Sequence, residues 1–246
     1  RDLFPTLESK FMENLYFAGQ VNGTSGYEEA ACQGLMAGIN ISLKNQKREP
    51  LVLKRSEAYI GVLIDDLVTK GIKDPYRLLT SRAEYGLLLR HDNADIRLRE
   101  YGYQIGLIEE LRYNKFKTKL SNINKIKEKL SDMFLYPNKE TNDYFLGIGS
   151  TILKDKSNTY TLLRRPEIKI SHANEWIDIT AYDFYVQEQV EIDIKYEGYI
   201  KKAMKQAEKL LRMEDHKIPV NLDYNSILNI ALEAREKLSK IRPLTI

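Results

Sequence analysis

A helical repeat of apolar residues is the feature of this sequence that most restricts its fold. From residue 111 onward, apolar side chains recur at spacings of three and four, which places them on one helix face: Phe116, Leu120, Ile123, Ile126 and Leu130. A second long helix is predicted over about residues 186–213. A third has an apolar face and ends before Pro243; this face consists of Ile227, Ala231, Ala234, Leu238 and Ile241. We therefore predict a mainly α chain after residue 50, arranged as a helical bundle.

The pattern between residues 59 and 107 is weaker. It predicts a strand over residues 59–68 and a turn at Lys70 and Gly71. It also predicts helices over residues 81–90 and 95–103.

The first part of the chain differs in composition and indicates a strand, a loop and a helix. The apolar run Leu15–Ala18 predicts a short buried strand, and residues 19–26 contain three glycines. A helix is predicted from about Gly26 to Ile41, with Ser25 as N-cap and Glu28 completing a capping box. We predict two domains, residues 1–45 and residues 50–246, joined by a charged segment that ends in proline.

The loop before this helix is a candidate ligand site. A helix N-terminus exposes backbone N–H groups and partial positive charge, and glycines let a ligand approach the backbone. Such a corner can hold a phosphate or an electron-rich carbonyl such as that of a flavin. The residues alone are equally consistent with a tight turn in an α/β domain.

The composition excludes several classes of protein. The net charge of +3 names no partner, and a single cysteine excludes an internal disulfide framework. A reducing compartment fits this cysteine usage, so we expect a cytoplasmic protein. No run of about 18 apolar residues occurs, so we expect no membrane span. The opening RDLFP lacks Met and any signal pattern, which predicts the middle of a longer protein.

Several long segments resemble one family in the family's own order. These are FAGQVNGTSGYEEAACQGL at 17–35, AYIGVLIDDLVTKG at 58–71, PYRLLTSRAEY at 75–85 and LLLRHDNAD at 87–95, then LLRRPE at 162–167, EQVEI at 188–192 and KYEGYI at 195–200. The amino-acid sequences of these segments are similar to those of the GidA/MnmG family of tRNA-modifying enzymes. The resemblance covers nearly the whole chain.

The resemblance implies a cofactor, a reaction and partners. Members bind FAD in a Rossmann-like domain, of which residues 1–45 would be the last strand, loop and helix. They take reducing equivalents from NADH and a one-carbon unit from a folate. With the GTPase MnmE they modify C5 of the tRNA wobble uridine, and we expect a homodimer in the full-length protein. The implied FAD-contacting residues are Gln20, Asn22, Gly23, Thr24, Gly26 and Tyr27.

Some of the family's catalytic parts are missing from these residues. The phosphate-binding GxGxxG does not occur, and the family's catalytic cysteines belong to its N-terminal portion. We therefore assign no catalytic residue and interpret Cys32 as a small buried residue. The family also continues for a short helical stretch implicated in docking the GTPase. We expect this chain alone to be inactive and to hold FAD weakly or not at all.

Basic residues are the candidates for RNA contact. Residues 111–130 carry seven Lys and Arg against one acid. Such a run is also typical of a solvated helix face, whereas phosphate contacts would make it functional. The predicted RNA-binding residues are Arg77, Arg82, Arg90, Arg97, Arg99, Lys115, Lys119, Arg164 and Arg165. Candidates for stacking on bases are Tyr76, Tyr85, Tyr101 and Tyr103.

Other chemistries find little support in the sequence. The three histidines lie far apart, so we predict no metal site. The adjacent pairs Glu28-Glu29 and Asp65-Asp66 need not form a carboxylate dyad, because neighbouring side chains diverge. Two alternatives to the family's main activity remain. One is a folate- and FAD-dependent tRNA uridine methyltransferase, against which the long helical region argues. The other is a helical module for dimerisation or partner docking.

Overall fold

A computed structural model describes residues 2–70, 74–214, 218–219, 221–227 and 229–242. Eight α-helices follow one another in this part of the chain. They are α1 (Tyr27–Asn45), α2 (Tyr59–Asp65), α3 (Ala94–Gln104), α4 (Glu110–Asp132), α5 (Lys139–Gly147), α6 (Thr159–Leu162), α7 (Phe184–Glu214) and α8 (Leu232–Ile241). The predicted mainly α fold is confirmed.

Short helical turns and one small strand pair complete the described structure. The 3₁₀ turns are Gln20–Asn22, Thr80–Arg82, Ile170–Glu175 and Tyr224–Ser226, and a π-helical turn, Asp66–Lys70, continues α2. Strand β1 (Phe134–Leu135) pairs antiparallel with β2 (Ser157–Asn158), so that Phe134 lies opposite Asn158.

The chain divides into two compact units, Arg1–Ile200 and Lys201–Ile246. In the first unit the largest core surrounds α4, because its predicted apolar face turns inward: Ile126 and Leu130 are fully buried. Phe145 of α5, Leu162 of α6, and Val190 and Ile194 of α7 pack into the same cluster. The second unit contains α8, which ends at Ile241 as predicted but begins at Leu232, so Ile227 and Ala231 of the predicted apolar face precede the helix.

A separate core joins α1 to α2. Met36 and Ala37 of α1 pack with Leu7, Ile64 and Val68. Residues on both sides of the predicted boundary at 46–50 therefore share one cluster, and the proposed division into residues 1–45 and 50–246 stays a prediction.

The sequence pattern gave three wrong local assignments. Residues 59–68 are helical rather than a strand. Four successive residues, Gly61–Ile64, are buried, and a continuous apolar run of this kind is compatible with a buried helix as well as with a strand. Residues 81–90 form turns after a single 3₁₀ turn. The predicted strand at Leu15–Ala18 is limited to one bridge, between Tyr16 and Glu8. Gly71 of the predicted turn lies outside the described residues.

Candidate functional site

Two glycines give the loop before α1 its shape. Gly19 has φ +89° and Gly23 has φ +81°, a region that side chains other than glycine rarely adopt. The 3₁₀ turn Gln20–Asn22 lies between them and is closed by the N–H of Gly23, which donates to the carbonyl of Gln20 at 2.8 Å. The loop is therefore a defined turn whose outer side chains face solvent.

A buried glutamine on α1 holds the inner side of this loop. The side chain of Gln33 is completely buried. Its Oε1 accepts from the N–H of Gly19 at 3.1 Å and from Asn22 Nδ2 at 2.7 Å. Its Nε2 donates to Thr24 Oγ1 at 2.9 Å, and Thr24 Oγ1 donates to the carbonyl of Gly19 at 3.0 Å. Sequence reasoning missed this role, although a polar residue on a helix rich in Ala and Gly was the available signal.

The segment around Tyr76 supports the loop from the other side. Its N–H donates to the carbonyl of Gly23 at 2.8 Å, and the N–H of Ser25 donates to the carbonyl of Tyr76 at 3.2 Å. Two residues further on, the N–H of Leu78 donates to Glu29 Oε1 at 3.1 Å. Residues 76–78 and 23–29 therefore form one hydrogen-bonded unit.

The N-terminus of α1 has no side-chain cap. Its N-cap is Gly26 rather than Ser25, so the predicted capping box with Glu28 is wrong. The physical reason is that Ser25 pairs with Tyr76 instead. A Cβ at Gly26 would lie 1.6 Å from Glu29 Oε2, so glycine leaves room for that buried carboxylate. The N–H of Leu78 lowers the pKa of Glu29 below its ordinary value, with a backbone hydrogen bond of Glu29 itself adding to the effect.

The six predicted FAD-contacting residues all lie on this loop, but they face different ways. Gln20 and Tyr27 are exposed, and Tyr27 is exposed to 94 %. Thr24 is buried, and Asn22 points inward to Gln33. Gly23 and Gly26 shape the backbone. The outer surface of the corner is thus formed by Gln20, Val21 and Tyr27, whereas Asn22 and Thr24 maintain its shape.

An unpredicted ionic cluster lies behind Tyr76. Arg55 donates to Asp65 at 2.9 Å, to Asp66 at 2.7 Å and to Glu84 at 2.6 Å. The hydroxyl of Tyr76 donates to Asp66 Oδ2 at 2.8 Å. Hydrogen bonding to Glu84 raises the pKa of Arg55, outweighing burial, which acts the other way. Burial raises the pKa of Tyr76, and Asp66 adds to the rise. The cluster keeps the residues that support the loop in one arrangement.

The predicted RNA-contacting cations fall into two groups. Arg77, Arg82 and Lys115 are exposed, and the Arg82 guanidinium lies 4.6 Å from the centre of the Tyr76 ring. The others contact the protein itself. Lys119 pairs with Asp95 at 2.7 Å, and Arg164 with Glu197 at 2.5 Å.

Arginines 90, 97, 99 and 165 also contact protein groups. Arg90 pairs with Asp92 at 2.9 Å, and Arg165 donates to the carbonyl of Thr151 at 2.5 Å. Arg97 donates to the carbonyls of Glu57 and Arg90, and burial lowers its pKa. Arg99 lies 5.8 Å from the Phe116 ring centre. Contact of these residues with RNA stays a prediction.

The tyrosines considered for stacking are engaged within the protein. Tyr76 and Tyr85 are buried. Tyr101 donates to Glu57 at 3.0 Å, and Tyr103 stacks on Tyr113 with ring centres 3.8 Å apart. The exposed aromatic residues lie elsewhere, among them Phe134, Tyr136, Tyr196 and Tyr199.

The described part of the chain adds no evidence for a metal site or for thiol chemistry. No group of three or more His, Cys, Asp or Glu side chains there could hold a metal ion. Cys32 is half-buried beside the cluster of Leu63, Leu67 and Tyr76 rather than fully buried, and burial raises the pKa of its thiol. Within the described residues, no helix is long and apolar enough to cross a membrane.

Fold and site together define a class of protein: a mainly α chain in which a glycine-containing loop, held by hydrogen bonds to Gln33 and to the segment at Tyr76, precedes the first helix. Comparison with known families identifies it further. Residues 1–49 match glucose inhibited division protein A. Residues 110–204 match the C-terminal helical domain, and residues 206–246 the C-terminal helical bundle, of the tRNA modifying enzyme MnmG/GidA. The chain belongs to the MnmG/GidA family.

Individual relatives agree with this assignment. The chain is 56 % identical over 241 residues to the tRNA uridine 5-carboxymethylaminomethyl modification enzyme MnmG of Onion yellows phytoplasma, covering 98 % of this chain and 39 % of the relative. It is 53 % identical over 246 residues to the protein of the same name in Acholeplasma laidlawii, covering 100 % and 40 %. The chain thus spans 39 to 40 % of the length of these curated relatives.

Solved structures give the same result. Aquifex aeolicus GidA in its form II crystal superposes with a TM-score of 0.77 at 41 % identity, covering 99 % of this chain and 38 % of that one. The form I crystal gives a TM-score of 0.72 at 42 % identity, covering 99 % and 37 %.

Proposed function

We propose that this chain forms the flavin-contacting and tRNA-binding part of an enzyme that adds a carboxymethylaminomethyl group to C5 of the tRNA wobble uridine. The observation that carries the proposal is the identity of 53 to 56 % to enzymes of that name over 98 to 100 % of the chain. By the same family relation, MnmE is the GTPase partner, NADH the reductant and a folate the one-carbon donor. The full-length protein would act as a cytoplasmic homodimer.

The loop at residues 19–27 suits one edge of FAD. Gly26 provides no side-chain cap for α1, which leaves N–H groups of the first turn available to a ligand, although that of Glu29 bonds to its own carboxylate. Glu28 and Glu29 already occupy this turn, which disfavours a phosphate and favours a neutral, electron-rich group such as a flavin carbonyl. Gln20 is exposed beside it and can both donate and accept hydrogen bonds. A bound flavin would supply the redox chemistry of the full-length enzyme.

The isolated chain is expected to hold FAD weakly and to be inactive, because the family's GxGxxG motif and catalytic cysteines are absent from it. A flavin fluorescence titration and a turnover assay with tRNA measure both properties. Turnover by this chain alone would contradict the proposal.

The test of RNA binding is a titration with unmodified tRNA at several salt concentrations. We expect log K to fall linearly with log salt, by about 0.7 to 0.9 per phosphate contact. Replacing Arg77 and Arg82 by Gln should reduce this slope. The Lys237→Gln variant is the control, because Lys237 is an exposed cation of α8, 68 % exposed, with no predicted RNA role. Absence of binding at the lowest salt would contradict the RNA part of the proposal.

A second candidate function is a protein-interaction module for dimerisation or for docking the GTPase. Exposed apolar residues on the helices favour it, among them Leu35 of α1, Leu111 of α4 and Leu146 of α5. Failure to bind tRNA, together with capture of the GTPase in a pull-down, would favour this candidate. The methyltransferase alternative is weaker, since residues 110–204 match the MnmG/GidA C-terminal helical domain.

A further inference from the structure

Two aromatic rings stand on the solvent side of the β1–β2 pair. Phe134 is 41 % exposed and Tyr136 is 55 % exposed, whereas Leu135 between them is buried in the main core. This alternation follows from extended backbone, in which successive side chains point to opposite faces. The two rings therefore project from one surface, and the core behind Leu135 fixes their position.

A lysine of the neighbouring segment lies over both rings. Lys156 Nζ is 4.3 Å from the centre of the Phe134 ring and 5.2 Å from that of Tyr136. These are distances of cation–π attraction. The surface thus combines flat apolar faces with a positive charge on a long side chain, which can turn to a phosphate when a base occupies the rings.

The helix that precedes this surface carries further positive charge. α4 ends at Asp132, two residues before Phe134, and carries the exposed cations Arg112, Lys115, Lys117 and Lys125. At about 3.6 residues per turn these four cations lie on different sides of the helix, so they add positive potential rather than a defined path. Proteins that bind unpaired nucleic acid combine positive charge with aromatic residues on which bases stack.

We propose that Phe134, Tyr136 and Lys156 form a stacking platform for an unpaired base of the bound RNA. This inference rests on the proposed tRNA binding and deepens it by naming where a base is held. A protein partner is the other occupant that the test must separate, because interfaces between proteins are enriched in Phe and Tyr although they are depleted in Lys. The platform replaces the tyrosines at 76, 85, 101 and 103, which are engaged within the protein.

The test is the tRNA titration repeated with the full chain carrying Phe134→Leu and Tyr136→Leu. Leucine keeps apolar bulk but removes the flat ring, so we expect about tenfold weaker binding at every salt concentration with an unchanged salt slope. The conservative pair Phe134→Tyr and Tyr136→Trp should bind like the original chain. The control is Tyr196→Leu with Tyr199→Leu, which removes an exposed aromatic pair from α7. Circular dichroism checks that all variants remain folded.

Each outcome has one meaning. Loss in the Leu pair, with retention in the conservative pair and in the control, supports the platform. Unchanged affinity in the Leu pair, or an equal loss in the control, overturns it while leaving the proposed tRNA binding intact. Absence of tRNA binding by the original chain contradicts the proposed function, and the platform with it.

Discussion

At the scale of single residues, the loop depends on side chains that do not themselves face a ligand. Gln33 and Glu29 are both buried: Gln33 accepts from the N–H of Gly19 beside the exposed Gln20, and Glu29 accepts from the N–H of Leu78 in the segment that supports the loop. A buried polar group left without its partners costs about 1 to 3 kcal/mol. The shape of the site is therefore coupled to stability at these two positions.

Replacing Gln33 by Leu should lower the free energy of unfolding by about 2 to 3 kcal/mol, because Gly19 N–H, Asn22 and Thr24 lose their partners. Urea unfolding followed by circular dichroism measures the change. Gln46→Leu is the control, since this exposed glutamine of the same helical region should change stability by no more than about 0.5 kcal/mol. Equal midpoints for the two variants would contradict the role of Gln33.

Lowering the pH should reduce the contribution of Glu29 to the free energy of unfolding. Its folded pKa is lowered from 4.5 by hydrogen bonds to the backbone, foremost that from Leu78. When folding lowers the pKa of a carboxyl group, the ionised group stabilises the folded protein at pH values above the unfolded pKa. This stabilisation is lost as the pH falls through the folded pKa. The stability difference between the original chain and Glu29→Gln should therefore shrink as pH falls below about 4.5. Glu49→Gln, in the exposed connection, is the control. A difference independent of pH would show that the carboxylate charge has no part in it.

At the scale of elements, α1 combines glycines of two kinds. Gly26 at the N-cap is required by its surroundings, because a Cβ there would overlap Glu29. A Cβ added at Gly38, within the helix, would meet nothing within 4 Å. In this structure Gly34 and Gly38 line an open cavity of about 290 Å³ with Ile105 and Leu107.

These two glycines give a matched pair of substitutions. Gly38→Ala should stabilise the chain by about 0.5 to 1 kcal/mol, because alanine loses less entropy in a helix than glycine. Gly26→Ala should destabilise it, since the Glu29 carboxylate must leave Leu78. Thermal unfolding of both variants gives the signs, and a destabilising Gly38→Ala would mean that its surroundings are tighter than the structure indicates.

At the scale of the whole molecule, the first unit contains separate clusters of buried side chains. Ile126 and Phe145 belong to the core around α4 and α7, whereas Met36 belongs to the core between α1 and α2. Substitutions in different clusters without shared partners are additive within about 0.5 kcal/mol. Neighbours within one cluster couple more strongly.

Alanine at Ile126 or Met36 should each cost about 2 to 5 kcal/mol. Their double variant should show the sum of the single effects, whereas Ile126→Ala with Phe145→Ala should deviate from the sum by about 0.5 kcal/mol or more. Double-mutant cycles from urea unfolding measure both couplings. Coupling between Ile126 and Met36 as large as that between Ile126 and Phe145 would contradict the separation of the cores.

The sequence by itself determined the long helices, the glycine corner and the family. α4, α7 and the end of α8 follow from local periodicity, because a long helix with an apolar stripe of period 3.6 has few other ways to bury that stripe. The family resemblance is carried by seven segments between residues 17 and 200.

Only the tertiary structure decided the rest. Residues 59–68 are helical, and the sequence could not show this because a fully buried run has no periodicity that separates a helix from a strand. Ser25 bonds to Tyr76, which is 51 residues away in the chain, so no local pattern could predict that Ser25 does not cap α1. Arg164 and Arg165 looked available for RNA but bond to the protein, because their partners Glu197 and Thr151 are brought to them only by folding.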